Sequence, residues 1–322
     1  MSQEKILVIG GAGYIGSATV KLLCEQGYSV TVFDNLSAGD EDKVDSRAKL
    51  VVGDMLNRND LTKVFGEEKF SSVIHFAALK AVGESEEKPA EYFRNNVAGT
   101  INVLEAMSKH QVPQMVFSSS ASVYAPAGEE HNGVFRETDP LGPISVYGQT
   151  KYISELIIQD FARTGKIQSY ALLRYFNVAG DAGLNFKEKN PQNVFPLIAK
   201  AVAGEASFAI FGDDYPTKDG TGVRDYIHLI DLVEAHIKAL QVNEKNSGAF
   251  NLGTSNGFSV QELVDAFEKI SGKPVGAKVE ARRPGDPAVV LADPTKAEKE
   301  LGWKAQHTLE EMVSSTLRVY GE

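Results

Sequence analysis

A single cysteine, Cys24, occurs in 322 residues. That excludes an internal disulfide framework and a zinc site built on thiolates. No apolar run approaches the ~20 residues that a membrane-spanning helix needs. Basic excess is also missing: 33 Lys and Arg stand against 43 Asp and Glu, a formal charge of −10. Such a balance works against general affinity for nucleic acid or anionic membranes, and leaves room only for a local basic site. The opening MSQEKILVIGG lacks a basic stretch followed by an apolar run and a cleavage site. The expectation is a cytoplasmic protein in a reducing compartment.

What is present is an alternation. Short apolar runs at Ile6 to Ile9, Val30 to Phe33, Leu50 to Val52, Val73 to Phe76, Met115 to Phe117 and Tyr170 to Phe176 read as strands. Between them, Ile15, Ala18, Thr19, Leu22 and Leu23 keep helical spacing up to Gly27. Pro89 opens a helix carrying Val97, Ile101, Leu104 and Met107, and Val146 to Phe161 reads as another. Apolar strands alternating with amphipathic helices predict an α/β fold, a doubly wound parallel sheet covered on both faces. After Phe176 the rhythm breaks. Segment 179–192 is polar and glycine-containing; shorter helices (194–203, 231–241, 259–270, 308–318) and isolated strands at Phe208 to Phe211 and Ala249 to Leu252 follow. This reads as a dinucleotide-binding domain over 1–178 and a smaller C-terminal substrate lobe over 179–322. Segments are free to interleave, and a cleft separates the lobes.

Gly10-Gly11-Ala12-Gly13-Tyr14-Ile15-Gly16 fits both G-x-G-x-x-G and G-x-x-G-x-x-G, directly after a strand and opening a helix. Glycines permit a tight turn and close approach to a pyrophosphate, which the helix N-terminus then attracts. Asp34 ends the second strand, 18 positions after Gly16. A carboxylate there suits the adenosine ribose and repels a 2′-phosphate. Asn35, Leu36, Ser37, Ala38 and Gly39 add no cation, so the cofactor expected is NAD. Asp54 and Met55 close the third strand, either facing the adenine or forming only a turn.

Tyr147 and Lys151 form the chain's one Tyr-x-x-x-Lys pair, on one face of a helix. An ammonium beside a phenol favours phenolate, and a positive nicotinamide lowers the phenol's pKa further; tyrosine then serves as a base near neutral pH. Ser118-Ser119-Ser120 follow the fifth strand, whose carboxyl end lines the ligand crevice of such sheets. Arg224 and Arg283 suit a diphosphate clamp, or surface ion pairs. Asn177 and Asn193 suit a ligand, or buried backbone. His75 and His228 lack metal-ligand spacing and read as structural, and Cys24 reads as core.

The Tyr-Lys pair, the upstream serine and the glycine motif together resemble the extended short-chain dehydrogenase/reductases, of Rossmann fold. HFAALKAVGES (75–85), SSSASVY (118–124), RYFN (174–177), GDDYPTKDGTGVRDYIH (212–228) and RRPGD (282–286) narrow the resemblance to the UDP-glucose 4-epimerase family, over nearly the whole chain. The chain departs from it at Ile9, where Thr is usual before the glycines. The resemblance implies that Gly10, Gly13, Tyr14, Ile15, Gly16, Asp34 to Gly39, Asp54, Met55, Phe76, Ala77, Ala78, Leu79, Lys80, Asn96 and Phe176 bind NAD, with Tyr147 and Lys151. It implies Tyr147 as base, Lys151 as its activator and Ser120 on the sugar 4-hydroxyl. Lys80, Asn177, Asn193, Val194, Arg224, Tyr226, Arg283, Asp286 and Val290 are implied as UDP-sugar ligands.

The implied reaction is 4-epimerisation of a UDP-hexose through transient oxidation at C4. Related 4,6-dehydratases carry Asp-Glu after the catalytic Ser or Thr, where this chain has Ala121-Ser122. Val290 is smaller than the tyrosine of narrow-specificity members, which implies some turnover of UDP-N-acetylhexosamines. UDP-pentoses and a non-catalytic NAD-sensing role stay open. A homodimer through helices near 91–108 and 146–162 is also implied.

Overall fold

The structure is a computed structural model and describes residues 4–126, 132–188, 191–283 and 285–320. Pro284 of the RRPGD stretch lies outside the described residues. The first half runs β1 (Lys5–Ile9), α1 (Tyr14–Glu25), β2 (Ser29–Asp34), β3 (Lys49–Val52), α2 (Arg58–Glu67), β4 (Ser72–His75), α3 (Val82–Glu87), α4 (Pro89–Tyr92), α5 (Gly99–Lys109), β5 (Gln114–Ser118), β6 (Val134–Phe135), α6 (Val146–Arg163) and β7 (Ser169–Tyr175). The second runs β8 (Asn177–Ala179), α7 (Val194–Val202), β9 (Ala209–Phe211), β10 (Val223–His228), α8 (Leu229–Lys238), β11 (Gly248–Leu252), β12 (Gly257–Ser259), α9 (Val260–Ser271), β13 (Lys278–Glu280), β14 (Val289–Ala292), α10 (Thr295–Glu300) and α11 (Leu309–Tyr320).

Seven parallel strands form the main sheet, in the order β11-β7-β5-β4-β1-β2-β3. Strand side chains alternate. In β1, Ile6 and Val8 therefore join Val30, Val32, Ile74 and Val116 under α1 and α8, while Leu7 and Ile9 join Phe33, Val73 and Met115 under α2, α5 and α6. Both faces are apolar, as a parallel sheet needs. β1 pairs with β2 on one side and β4 on the other. The chain thus leaves the sheet in opposite directions there, and a crevice opens beyond the strands' carboxyl ends.

A single cut at 178/179 does not separate the lobes. β11 returns from the second half to pair in register with β7, and α8 packs on the α1 side of the main sheet. A second sheet, β12-β10-β14-β6 with β8 alongside β10, stands next to it. α7, α9 and α11 cover that sheet around Phe195, Phe267 and Met312. The short strands β8, β10, β12, β13 and β14 carry no long apolar run, which is why periodicity does not reveal them.

Candidate active site

The loop after β1 brings backbone close to whatever binds there. Gly10 has φ +80°, and a Cβ on it would lie 2.5 Å from the Ala77 nitrogen, so the loops after β1 and β4 touch. A Cβ on Gly16 would lie 2.2 Å from the Gly10 oxygen. Gly13 opens α1 without a side-chain cap, so the helix presents free first-turn amides and its positive end to the crevice. Tyr14 and Ile15 are the first two residues of that turn.

Asp34 uses its carboxylate on this loop. Oδ2 accepts from the Ala12 amide at 3.0 Å and Oδ1 from the Leu36 amide at 2.8 Å, which leaves each oxygen a lone pair for a ribose hydroxyl. Asn35 Oδ1 accepts from the Ser37 amide and hydroxyl, Asn35 Nδ2 reaches Asp54 at 3.3 Å, and Gly39 lies against Ala12. Met55 is buried against Gly99, its carbonyl held by Asn102. A glycine cradle at a helix N-terminus, a carboxylate with open lone pairs and no cation over 35–39 make a donor set that fits NAD and opposes a 2′-phosphate.

After β4, the Phe76 and Ala77 amides both donate to the Ile9 carbonyl, at 2.8 and 3.2 Å, so this loop closes without a hydroxyl at position 9. Asn96 stands in a π-helical turn, Phe93–Ala98, between α4 and α5. Its Oδ1 accepts from Leu79 N and Asn95 Nδ2, and its Nδ2 donates to Leu79 O and Thr150 Oγ1. An amide has no further hydrogen-bonding capacity. Asn96 thus fixes Leu79 in the 77–80 loop and ties it to α6. Lys80 bonds Glu188, the Tyr14 hydroxyl bonds the Gly180 carbonyl, and Lys21 bonds the Ala182 carbonyl, so segment 180–188 is held against α1 and the loop after β4.

Ser145 caps α6 and sets Tyr147 and Lys151 on its buried face. The Ser120 hydroxyl, which donates to Ser122 Oγ at 3.1 Å, stands near the Tyr147 phenol and pulls its pKa down. Burial, reinforced by the neighbouring Tyr175, nonetheless pushes that phenol well above its usual value. Lys151 Nζ donates to the Ser118 carbonyl at 2.6 Å and lies over the Phe117 ring. Burial pulls the lysine down to about 7 against the opposing pull of Glu155. Ser118 bonds the Tyr175 hydroxyl at 2.8 Å.

The second sheet supplies the other wall. Arg224 on β10 pairs with Asp286 and donates to the Val223 carbonyl at 2.8 Å. Its β14 neighbour in register is Val290, which packs with Phe176, Tyr124 and Val123 beside the serine segment. Tyr226 is buried against Phe195, and Arg283 stacks over Phe211 at 3.9 Å. Asn177 donates to the Asp225 carbonyl, while Asn193 caps α7 through the Val194 amide and bonds the Val178 carbonyl. Both asparagines therefore satisfy backbone, although Asn177 Oδ1 accepts no bond among the described residues.

This arrangement can move a proton between a hydroxyl and a buried phenol beside a dinucleotide groove. A model of the NAD dependent epimerase/dehydratase family matches residues 6–253. The chain belongs to this family. A family relative, the UDP-glucose 4-epimerase of Bacillus subtilis (strain 168), is 47% identical over 97% of this chain and 96% of its own length. Two solved structures superpose closely. The UDP-glucose 4-epimerase of Brucella ovis in complex with NAD has a TM-score of 0.93 at 38% identity, covering 99% of this chain and 98% of its own. That of Bifidobacterium longum in complex with NAD+ and UDP has a TM-score of 0.90 at 40% identity, covering 98% and 97%.

The family motifs named the tyrosine, lysine and serine but not their surroundings. Tyr175 and Arg174 lie inside RYFN, and Glu155 stands four residues beyond Lys151. That i+4 spacing is the signal from which a buried partner is legible.

Two predictions follow from this geometry. Gly16→Ala should cost about 1–3 kcal/mol, because backbone must shift to admit the methyl group. In Gly13→Ala the new Cβ has nothing nearer than 3.5 Å, so its denaturation midpoint should stay near wild type; equal losses would contradict the assignment. His75, His228 and His236 are buried, and burial drives them from 6.5 to about 3, 4 and 4. The unfolded chain binds protons that the folded chain refuses, so the stability these neutral rings confer is full above 6.5 and lost as pH falls toward their folded values. The denaturation midpoint should therefore drop between about pH 7 and 5; a flat profile there would count against buried neutral imidazoles.

Proposed function

We infer that this protein is an NAD-dependent isomerase that interconverts UDP-galactose and UDP-glucose by epimerising C4 of the hexose. The observation that carries the reading is the Tyr147 phenol, buried with Ser120 near it beside a groove fitted to NAD. When bound, NAD+ would supply the redox chemistry at C4, as acceptor of a hydride and then as its donor to the opposite face of the sugar.

The chain's own residues handle the proton and hold the substrate. Tyr147 as phenolate takes the 4-hydroxyl proton while the ketone forms, then gives it back when C4 is reduced. Ser120 holds the oxygen as it becomes a carbonyl, and Lys151 supplies positive charge near the phenolate. Arg224 and Arg283 grip the diphosphate, with Asp286 released from Arg224 to meet a ribose hydroxyl. Tyr226, Asn177, Asn193 and Val194 support the nucleotide side of the cleft, and Lys80 reaches the phosphates from the 77–80 loop. With affinity placed on UDP, the hexose is free to turn over between the two half-reactions.

The working arrangement we propose is an NAD-binding half made by the main sheet, including β11 and α8, and a UDP-sugar lobe built on β10, β14 and α7. Two copies pair through α5 and α6, where Leu156 is exposed, and the enzyme works in the cytoplasm. No described helix is long and apolar enough to cross a membrane.

The anomeric proton signals of UDP-galactose, followed by NMR without added NAD, test the reaction. Wild type should convert it to an equilibrium mixture with UDP-glucose. Tyr147→Phe should lose about 10²–10⁴-fold in turnover while binding UDP normally, as expected on removal of a positioned base. Near-wild-type turnover in that variant would contradict the assignment. Val290 lies beside the serine segment with a small side chain, so UDP-N-acetylgalactosamine should also turn over. Val290→Tyr should suppress that activity more than UDP-galactose turnover; equal suppression would contradict a role in breadth.

A further inference from the structure

Directly behind the serine segment lies a buried ion pair that the proposed chemistry does not use. Glu155 stands one turn beyond Lys151 on α6 and is fully buried. Arg174 of β7, also buried, grips both its oxygens, Nε to Oε1 at 2.9 Å and Nη2 to Oε2 at 2.6 Å. The third bond to this carboxylate comes from the Ser119 hydroxyl, 2.5 Å from Oε1. Arg174 continues through Nη1 to the Tyr124 hydroxyl, which donates to Asn251 at 2.7 Å. A buried ion pair is weak as a stability device, since desolvation cancels much of its attraction. Its retention here calls for another role.

The held residue suggests that role. Ser119 lies between Ser118, whose carbonyl receives the Lys151 ammonium, and Ser120, whose hydroxyl stands near the Tyr147 phenol. Moving Ser119 moves both groups. The pair also bears on charge. Around Lys151 stand the Ser118 carbonyl and Phe117 ring of β5, His75 at the end of β4 and His236 on α8. Burial keeps both imidazoles neutral. Glu155 is the anion that favours the ammonium, with Arg174 behind it.

We propose that Glu155 and Arg174 are positioning residues of the epimerisation: the pair clamps Ser119, and so sets the Ser118 carbonyl on Lys151 and the Ser120 hydroxyl near Tyr147. The proposal rests on the epimerase reading above. Ser119→Ala tests it with the ion pair intact. Turnover of UDP-galactose should fall about ten- to a hundredfold, as for a small misplacement of reacting groups, with KM and the denaturation midpoint close to wild type. Unchanged kcat would overturn the clamp, as would a loss explained by a matching drop in stability.

Glu155→Gln gives a readout apart from activity. The Lys151 ammonium, followed by NMR in NAD-loaded protein, should titrate at lower pH than in wild type, and the alkaline limb of the kcat–pH profile should move the same way. An unmoved lysine titration would overturn the charge part of the proposal. If that variant fails to fold, Ser119→Ala decides alone. A wild-type protein that does not epimerise would contradict the function, whereas an unmoved lysine in an active enzyme contradicts only the charge part of the proposal.

Discussion

Burial of one phenol and one ammonium in the same notch is the constraint on which the rest of the site depends. Away from water each prefers its neutral form, so Tyr147 is pushed up and Lys151 down to about 7. Base chemistry at C4 needs the opposite charges. Glu155 supplies part of the correction for the lysine, and the Ser120 hydroxyl part of it for the tyrosine. In the proposed mechanism the rest of the correction for the phenol comes from a positive charge brought into the notch, which is what an oxidised nicotinamide carries, so that cofactor retention and base strength become one property.

The fold serves that notch. Parallel strands apolar on both faces force helices onto both sides, and the reversal at β1 and β4 leaves a crevice into which the loops after β1, β4 and β5 converge. Backbone contact between Gly10 and Ala77 sets how closely two of those loops approach. The second sheet brings Arg224 and Val290 to the same mouth on paired strands. In the proposed function, one places charge for a diphosphate and the other leaves room beside the hexose. The segment from Gly180 to Glu188 is held against α1 and the loop after β4, consistent with a cofactor that stays through the cycle.

Much of this was legible before any coordinates. The strands β1, β2, β3, β4, β5 and β7 each carry an apolar run, and the helices between them keep a clear period, so order and sheet type could be read directly. Gly10 to Gly16, Asp34 and the Tyr147–Lys151 pair were legible because their chemistry demands fixed local spacing. Long-range choices left no such trace. The return of β11 to β7, the pairing of β10 with β14 and the Glu155–Arg174 pair join residues far apart in sequence. Spacing of i, i+4 places Tyr147 and Lys151 on one face without saying which atom each will bond, and a motif position such as Asn96 does not reveal whether the side chain faces a ligand or the loop beside it.

The central claim is most directly tested by ultraviolet difference titration of the Tyr147 phenol, taken as wild type minus Tyr147→Phe, in protein loaded with NAD+ and in protein loaded with NADH. The two cofactors match in size and differ in ring charge. The account predicts that the phenol ionises at distinctly lower pH beside the oxidised ring. Titrations that coincide in the two forms would contradict it.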